Sequence, residues 1–259
     1  MKRRWKPFPH AQQRFDFPGD ALKKHWPRLH RGDCEPFPRT GPLQDAWRAF
    51  HRGDFQVACE RGLALGVEGH AVADKAAGIY ATYLEPDAKA RLALLEEAAE
   101  RSEAARKERP DDASSHYLFA FCMGRYSQSK SVLEALAAGT AGQIRRALER
   151  TLELEPRHAE AHIALGTWHA EVIHKAGAII GGLTYGANES EALEHYRRAL
   201  ALCPESAIAR VEYAAGLLKM DSSKVEEARK QLAQAAKLKP ADAMEMLDVE
   251  RARSRLEEL

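Results

Sequence analysis

Histidine chemistry is the first possibility this chain raises, because His162, His169, His174 and His195 fall within a 34-residue stretch. Imidazoles in such number suit a metal centre or acid–base work. Their spacing argues against both. On a helix His162 and His169 share a face two turns apart, too far for one metal ion without a third group between them. Among these four, no two stand at the i,i+4 spacing of a helical metal pair. Solvated or hydrogen-bonded rings are the expectation. Glu96, Glu97 and Glu100, and likewise Glu226 and Glu227, read as solvated helix faces rather than acid–base pairs. Cys34, Cys59, Cys122 and Cys203 are scattered, with no Cys-x-x-Cys and no Cys/His pair at ligand spacing. Reduced, mostly buried thiols are therefore expected, not a zinc site or a disulfide framework. Gly181-Gly182 lacks the strand and the Gly-Lys-Ser/Thr that a phosphate loop needs. No serine-nucleophile motif stands out. The chain is expected to be no enzyme and to carry neither cofactor nor metal.

One segment invites binding instead. Residues 172–186 are apolar, with Lys175 as the one Lys or Arg and with four glycines, Gly177, Gly181, Gly182 and Gly186. A surface loop is normally polar, so the segment is expected to bury something. It either tucks into the groove of the fold as a plug, forms the wall of a pocket for an apolar ligand, or inserts in a membrane surface. Ile179, Ile180, Leu183 and Tyr185 are the wall candidates.

The elements that must position these groups are helices. Ala, Leu, Glu and Arg abound in the 259 residues, and the 45% hydrophobic content supports a substantial core. Leu152-Glu-Leu-Glu-Pro156, Leu200-Ala-Leu-Cys-Pro204 and Ala236-Lys-Leu-Lys-Pro240 end alike. Ala199 and Ala235 lie five residues before the last two prolines, and Ala192 and Ala228 twelve before them. Ala98, Ala105 and Pro110 make a weaker copy. Small residues at that spacing let a neighbouring helix come close, and the proline stops the helix. Such recurrence marks a helical solenoid. Helices are expected at Leu43–His51, Phe55–Leu65, His70–Leu84, Asp87–Arg106, Asp112–Arg125, Ala141–Leu154, Ala159–Lys175, Ser190–Leu202, Ser206–Lys219, Ser223–Leu238 and Asp242–Glu258. The fold class is then all-α, a right-handed helical solenoid of about five helix pairs with a terminal helix over residues 41–259.

Residues 1–40 differ. They are rich in Pro and aromatics, with ten Lys/Arg against four Asp/Glu, leaving 29 basic and 34 acidic residues in the rest. Trp5, Phe8, Phe15, Phe17, Trp26 and Phe37 need cover, so this arm, with a short helix near Asp20–His30, is expected to pack on the body. Trp26 with His30-Arg-Gly-Asp33 is echoed 21 residues later by Trp47 with His51-Arg-Gly-Asp54. The glycine is read as ending one helix and the aspartate as capping the next, rather than as an adhesion motif. A formal charge of +1 gives no global case for nucleic acid. Met1-Lys-Arg-Arg opens like a signal peptide, but Pro7 and Pro9 stand where the apolar stretch should begin, and no run is long enough to span a membrane. A cytoplasmic location is expected.

Ala159-Glu-Ala-His-Ile-Ala-Leu-Gly166 and Glu191-Ala-Leu-Glu-His-Tyr-Arg-Arg-Ala-Leu200 resemble a tetratricopeptide repeat, with Leu165-Gly166, Ala192, Tyr196, Ala199 and Pro204 in the characteristic order. Two consecutive repeats are stretched: Gly166 lies 26 residues before Ala192, and Ala120 lies 24 before Ile144. With Ser127–Ile144, Leu165-Gly-Thr-Trp168 and the Ala/Gly-rich insert, residues 73–220 resemble the tetratricopeptide domain of the regulator-of-microtubule-dynamics family. Periplasmic solute-transport accessory proteins are a weaker resemblance. The family resemblance implies a partner-binding module, with some members linked to microtubules or to membrane contact and lipid binding. It brings no catalytic residues.

In such a solenoid the first helix of each repeat lines the concave side. Alignment on the glycine position puts Tyr117, Phe121 and Arg125 on one stretch, Ile163, Thr167 and Glu171 on the next, and Val211, Ala215 and Lys219 on the third. Tyr117 and Phe121, at i,i+4, are either an aromatic platform for a partner helix or ordinary packing. The expected function is a non-enzymatic adaptor that binds an unknown protein partner. The alternative is a carrier of a lipid or other apolar molecule, with Arg125 or Lys175 meeting an anionic head.

Overall fold

The computed structural model describes residues 4–10, 12–13, 15–128 and 139–259. Among them are thirteen α-helices, one short 3-10 turn at Gly66–Gly69 and no strand. The chain divides into two compact units. The first comprises residues 1–30, 35–129 and 241–244, and the second residues 31–34, 130–240 and 245–259. Of the Ser127–Ile144 stretch, residues 129–138 lie outside the described residues.

The first unit holds α1 (Ala21–Leu29), α2 (Gly41–Arg52), α3 (Phe55–Ala64), α4 (His70–Tyr83), α5 (Ala88–Glu108) and α6 (Ala113–Gln128). Successive helices from α2 to α6 pack on one another, and α6 also reaches α4. Asp87 caps α5 by accepting the Ala90 N–H at 2.7 Å. Ala98 and Ala105 are buried, as their frame requires. A Cβ on Gly62 would lie 2.6 Å from the Gly69 carbonyl oxygen, so only glycine permits that approach. On α4, buried Asp74 accepts from Arg101 Nε at 2.7 Å and Ser102 Oγ at 2.8 Å, which ties α4 to α5. Burial raises the Asp74 pKa above the ordinary carboxylate value, while the Arg101 charge and the Ser102 bond pull it down.

Arm residues in this unit lie on its helices. Trp5 stacks on Tyr80 with centroids 4.3 Å apart, and its N–H donates to Gln56 Oε1 at 2.9 Å. Phe8 packs over Gly53, which ends α2 at φ 91°. The 21-residue echo is a spatial pair: Trp26 meets Trp47 edge to face at 5.6 Å, and the Nε2 atoms of His30 and His51 are 3.2 Å apart. The capping roles read from the echo hold only for Gly53. Residue Gly32 has no positive φ, and Asp54 makes no side-chain cap but pairs with Arg52 at 2.7 Å.

The second unit holds α7 (Thr140–Leu154), α8 (Ala159–Ala176), α9 (Ala178–Tyr185), α10 (Glu189–Leu202), α11 (Ala207–Met220), α12 (Val225–Ala235) and most of α13 (Ala243–Glu257). Ser206 caps α11 at its expected start, its Oγ accepting the Ala209 N–H at 3.2 Å; α10 starts before the expected Ser190 and is capped by Asn188, whose Oδ1 accepts the Glu191 N–H at 2.8 Å. Ala192, Ala199, Ala228 and Ala235 are all fully buried, so the recurring frame is the packing face. One core joins Ile163, Ala192, Tyr196, Ala199, Tyr213 and Leu217, and another joins Val211, Ala214, Ala228, Leu232, Val249 and Ala252. Tyr196 is a wedge. A Cβ on Gly166 would fall 2.9 Å from its ring, and one on Gly216 would fall 2.6 Å from its hydroxyl. Small residues on α8 and α11 thus admit one large ring from α10, which also stacks on Tyr213 at 5.1 Å.

Candidate functional site

The first unit presents one stretch of the anticipated binding face on α6. Tyr117 is only 8% exposed, so it is mainly a core residue rather than half of an open platform. Its ring lies parallel to Phe121 with centroids 6.1 Å apart. The Phe121 ring sits over Gly78 of α4, where a Cβ would come within 2.5 Å of it, and it stays partly exposed. The Arg125 guanidinium lies 5.8 Å from the Phe121 ring centroid. Phe121 and Arg125 are what the surface shows of this stretch.

In the second unit two of the anticipated residues are buried. Ile163 is 6% and Val211 3% exposed, each inside one of the two cores. They are corrected to packing residues: on these closely spaced helices the frame that faces the groove also faces the neighbouring helix. Thr167 accepts from the Tyr196 hydroxyl at 3.2 Å and donates to the buried Glu212 carboxylate at 3.3 Å, so it ties α8 to α10 and α11. Glu171 on α8 and Lys219 on α11 form an ion pair whose lysine is about one-third exposed. Both side chains are partly exposed.

The apolar insert is not a plug. α8 runs through to Ala176, and Gly177 (φ 79°) turns the chain into the short helix α9, which the glycine-rich sequence does not announce. Its Ile179, Ile180 and Leu183 are 79%, 59% and 86% exposed. They face solvent rather than an enclosed cavity, which corrects the pocket-wall reading of these three. Tyr185 is partly exposed, and its carbonyl accepts from Arg145 Nη1 at 2.7 Å.

Sequence spacing missed two histidine groupings. His162 on α8 meets His195 on α10, Nδ1 to Nδ1 at 2.9 Å, and His169 stacks on His195 at 5.9 Å. One proton shared between two neutral rings makes that contact a hydrogen bond. Burial, then the neighbouring His195 charge, lowers the His162 pKa to about 4 and that of His169 to about 4. Burial also lowers His195. The second grouping is the chain His30–His51–Asp242, in which His51 Nδ1 lies 2.7 Å from Asp242 Oδ2. Carboxylate, imidazole and imidazole in line resemble a proton relay, and all three are buried within the first unit. The 21-residue echo was its only signal. Among the described residues no group of three or more His, Cys, Asp or Glu is arranged to hold a metal ion. No helix among them is long and apolar enough to cross a membrane.

Comparison with known proteins agrees with this architecture. The crystal structure of TTC0263, a thermophilic TPR protein in Thermus thermophilus, superposes with a TM-score of 0.58 at 18% identity, over 83% of this chain and 97% of that one. That similarity establishes a tetratricopeptide-like helical repeat fold. No curated protein sequence matches the chain. The family model described as Regulator of microtubule dynamics protein 1-3 matches residues 71–259. With nearly three-quarters of its length inside that match, and with the repeat frames and the Gly166–Tyr196–Gly216 packing in place, the chain belongs to the regulator of microtubule dynamics protein 1-3 family.

Proposed function

We propose that this chain is a non-enzymatic adaptor that holds a peptide or helix of a partner protein. The helical repeat fold supports this reading, since such folds present side chains of successive first helices as a binding surface. The observation that carries it is the character of the side chains left at the surface of those helices. Phe121 beneath the Arg125 guanidinium offers a flat apolar face with a cation above it, and Glu171 with Lys219 offers paired charges. Aromatic and arginine side chains are the usual anchors of protein interfaces. The partner contacts are assigned to Phe121 and Arg125 in the first unit and to Glu171 and Lys219 in the second. Thr167 orders the helices behind its charges, and Tyr117, Ile163 and Val211 set the backbone from within.

Affinity purification with the wild type beside Phe121→Ala/Arg125→Ala and Lys219→Glu tests this. Partners recovered by the wild type are expected to be lost from a variant whose circular dichroism is unchanged. Recovery of the same partners by every variant would show that these side chains do not bind them.

A further inference from the structure

The lobe formed by α9 is built to protrude. Gly177 and Gly186, at φ 79° and 69°, bracket it with backbone conformations that favour glycine. A Cβ at Gly177 would meet nothing within 4 Å, so conformation rather than crowding accounts for the glycine there. The base is fastened. The Arg145 guanidinium donates to the Tyr185 carbonyl at 2.7 Å, Ala187 N–H donates to the Gly181 carbonyl at 3.1 Å, and Gly181 rests on Val172. Ile179, Ile180 and Leu183 share one helix face at i,i+3 and i,i+4, and that face is the exposed one. Large apolar side chains grouped on one exposed helix face mark a surface with a partner.

Size and charge say which partner. Three side chains are far fewer than the roughly 20–30 residues a side that a stable protein interface uses. A lipid surface needs no such complementarity, because it closes around a small apolar tip. No carboxylate lies between Glu171 and Glu189, while His174 and Lys175 stand at the foot of the lobe. The two bounding carboxylates are neutralised, Glu171 by Lys219 and Glu189 by Lys224. Residues 172–188 thus carry one formal charge, the positive one of Lys175.

We propose that residues 174–185 form a membrane-docking element, in which Ile179, Ile180 and Leu183 enter the interfacial layer of an anionic bilayer and Lys175 and His174 meet its headgroups. This lies beyond the adaptor reading and does not depend on it. Lysine beside an apolar tip can reach the headgroup level while its stem stays in contact with acyl chains.

Flotation of the full chain with phosphatidylcholine vesicles, and with vesicles containing phosphatidylserine as well, reads the binding directly. The wild type is expected to float with the anionic vesicles more than with neutral ones, and less at high salt. Ile179→Asp/Leu183→Asp is expected to weaken binding by about tenfold or more, and Lys175→Glu to weaken it by a smaller factor. Both variants replace side chains at the surface, and an unchanged circular dichroism melt confirms their fold. A chain carrying Leu183→Cys, labelled with an environment-sensitive dye, is expected to brighten on anionic vesicles. Absence of flotation, or equal flotation of the Ile179→Asp/Leu183→Asp chain, overturns the proposal. So does light scattering that shows a dimer dispersed by that double substitution, because the tip would then be covered by a second copy.

Discussion

Gly166→Ala and Gly216→Ala test the packing of the second unit with a sign that helix propensity alone gets wrong. Alanine in a helix interior is favoured over glycine by about 1 kcal/mol, so an open site gains stability from this exchange. These two sites are closed. The new methyl would lie 2.9 Å from the Tyr196 ring at Gly166, and 2.6 Å from its hydroxyl and 2.8 Å from its Cε2 at Gly216. Tyr196 is fully buried between α8 and α11 and cannot swing out. Overpacking of this kind costs about 1–3 kcal/mol, which outweighs the propensity gain in most of that range. We expect each substitution to be net destabilising, by up to roughly 2 kcal/mol, a fall of up to about 8 °C in Tm. Gly124→Ala on α6 is the control, because nothing lies within 4 Å of its Cβ position, and it should gain about 0.5–1 kcal/mol. Tyr196→Phe removes the hydroxyl clash at Gly216, but its Cε2 stays 2.8 Å from the new methyl there and the ring contact at Gly166 is untouched. A double-mutant cycle should therefore show partial rescue of Gly216→Ala and little rescue of Gly166→Ala. Thermal and urea melts of these variants beside the wild type decide the matter. Stabilisation by Gly216→Ala, or equal rescue at both glycines, would refute the wedge.

The three histidines of α8 and α10 make stability depend on pH. His162 and His169 titrate near 4 in the folded chain against about 6.5 unfolded, so the unfolded chain binds more protons between those values. Their contribution is full above pH 6.5 and lost as pH falls toward 4, about 2–4 kcal/mol for the two rings after solvent screening. Urea midpoints at pH 7 and pH 4.5 check this, and a His162→Gln/His169→Gln chain with the same pH slope as wild type would contradict it. Arg101→Ala leaves the fully buried Asp74 carboxylate with Ser102 but without its cation, and should cost about 3–5 kcal/mol in a urea melt. A change under about 1 kcal/mol would mean that the pair is not the clamp between α4 and α5. Burial pushes Cys59 up to about 11 and Cys34 up to about 12, so both should react with a disulfide reagent at pH 7.5 much more slowly than free cysteine. Burst labelling of either thiol in the folded chain would count against their placement.

Helix positions were legible because they depend on local patterns. Ala192, Ala199, Ala228 and Ala235 with their terminal prolines fix a face and an end, and the observed helices follow them. The wedge was half visible: Leu165-Gly166 and Tyr196 announced a tetratricopeptide repeat, but Gly216 enters only when α11 comes against α8. Exposure of the candidate site was less readable. Ile163, Val211 and Tyr117 occupy the right helices, yet whether a side chain fills a neighbour's groove or faces solvent depends on separations between helices far apart in sequence. Helix α9 escaped notice because two glycines sit in its interior and lower its propensity, while backbone bonds and Arg145 supply what propensity lacks. Contacts such as His162–His195 and His51–Asp242 join residues 33 and 191 positions apart, a separation that no local pattern encodes.

Site-specific photo-crosslinking tests the adaptor function most directly. A photoreactive phenylalanine analogue is placed at Phe121 or at Lys219, and as a reference at exposed Glu97 on α5. In cells, we expect position 121 or 219 to capture a defined partner protein that position 97 does not. That capture should disappear when Arg125→Ala accompanies the probe at 121, or Glu171→Ala the probe at 219. Equal capture at Glu97, or capture at 121 and 219 that survives those substitutions, would contradict the account.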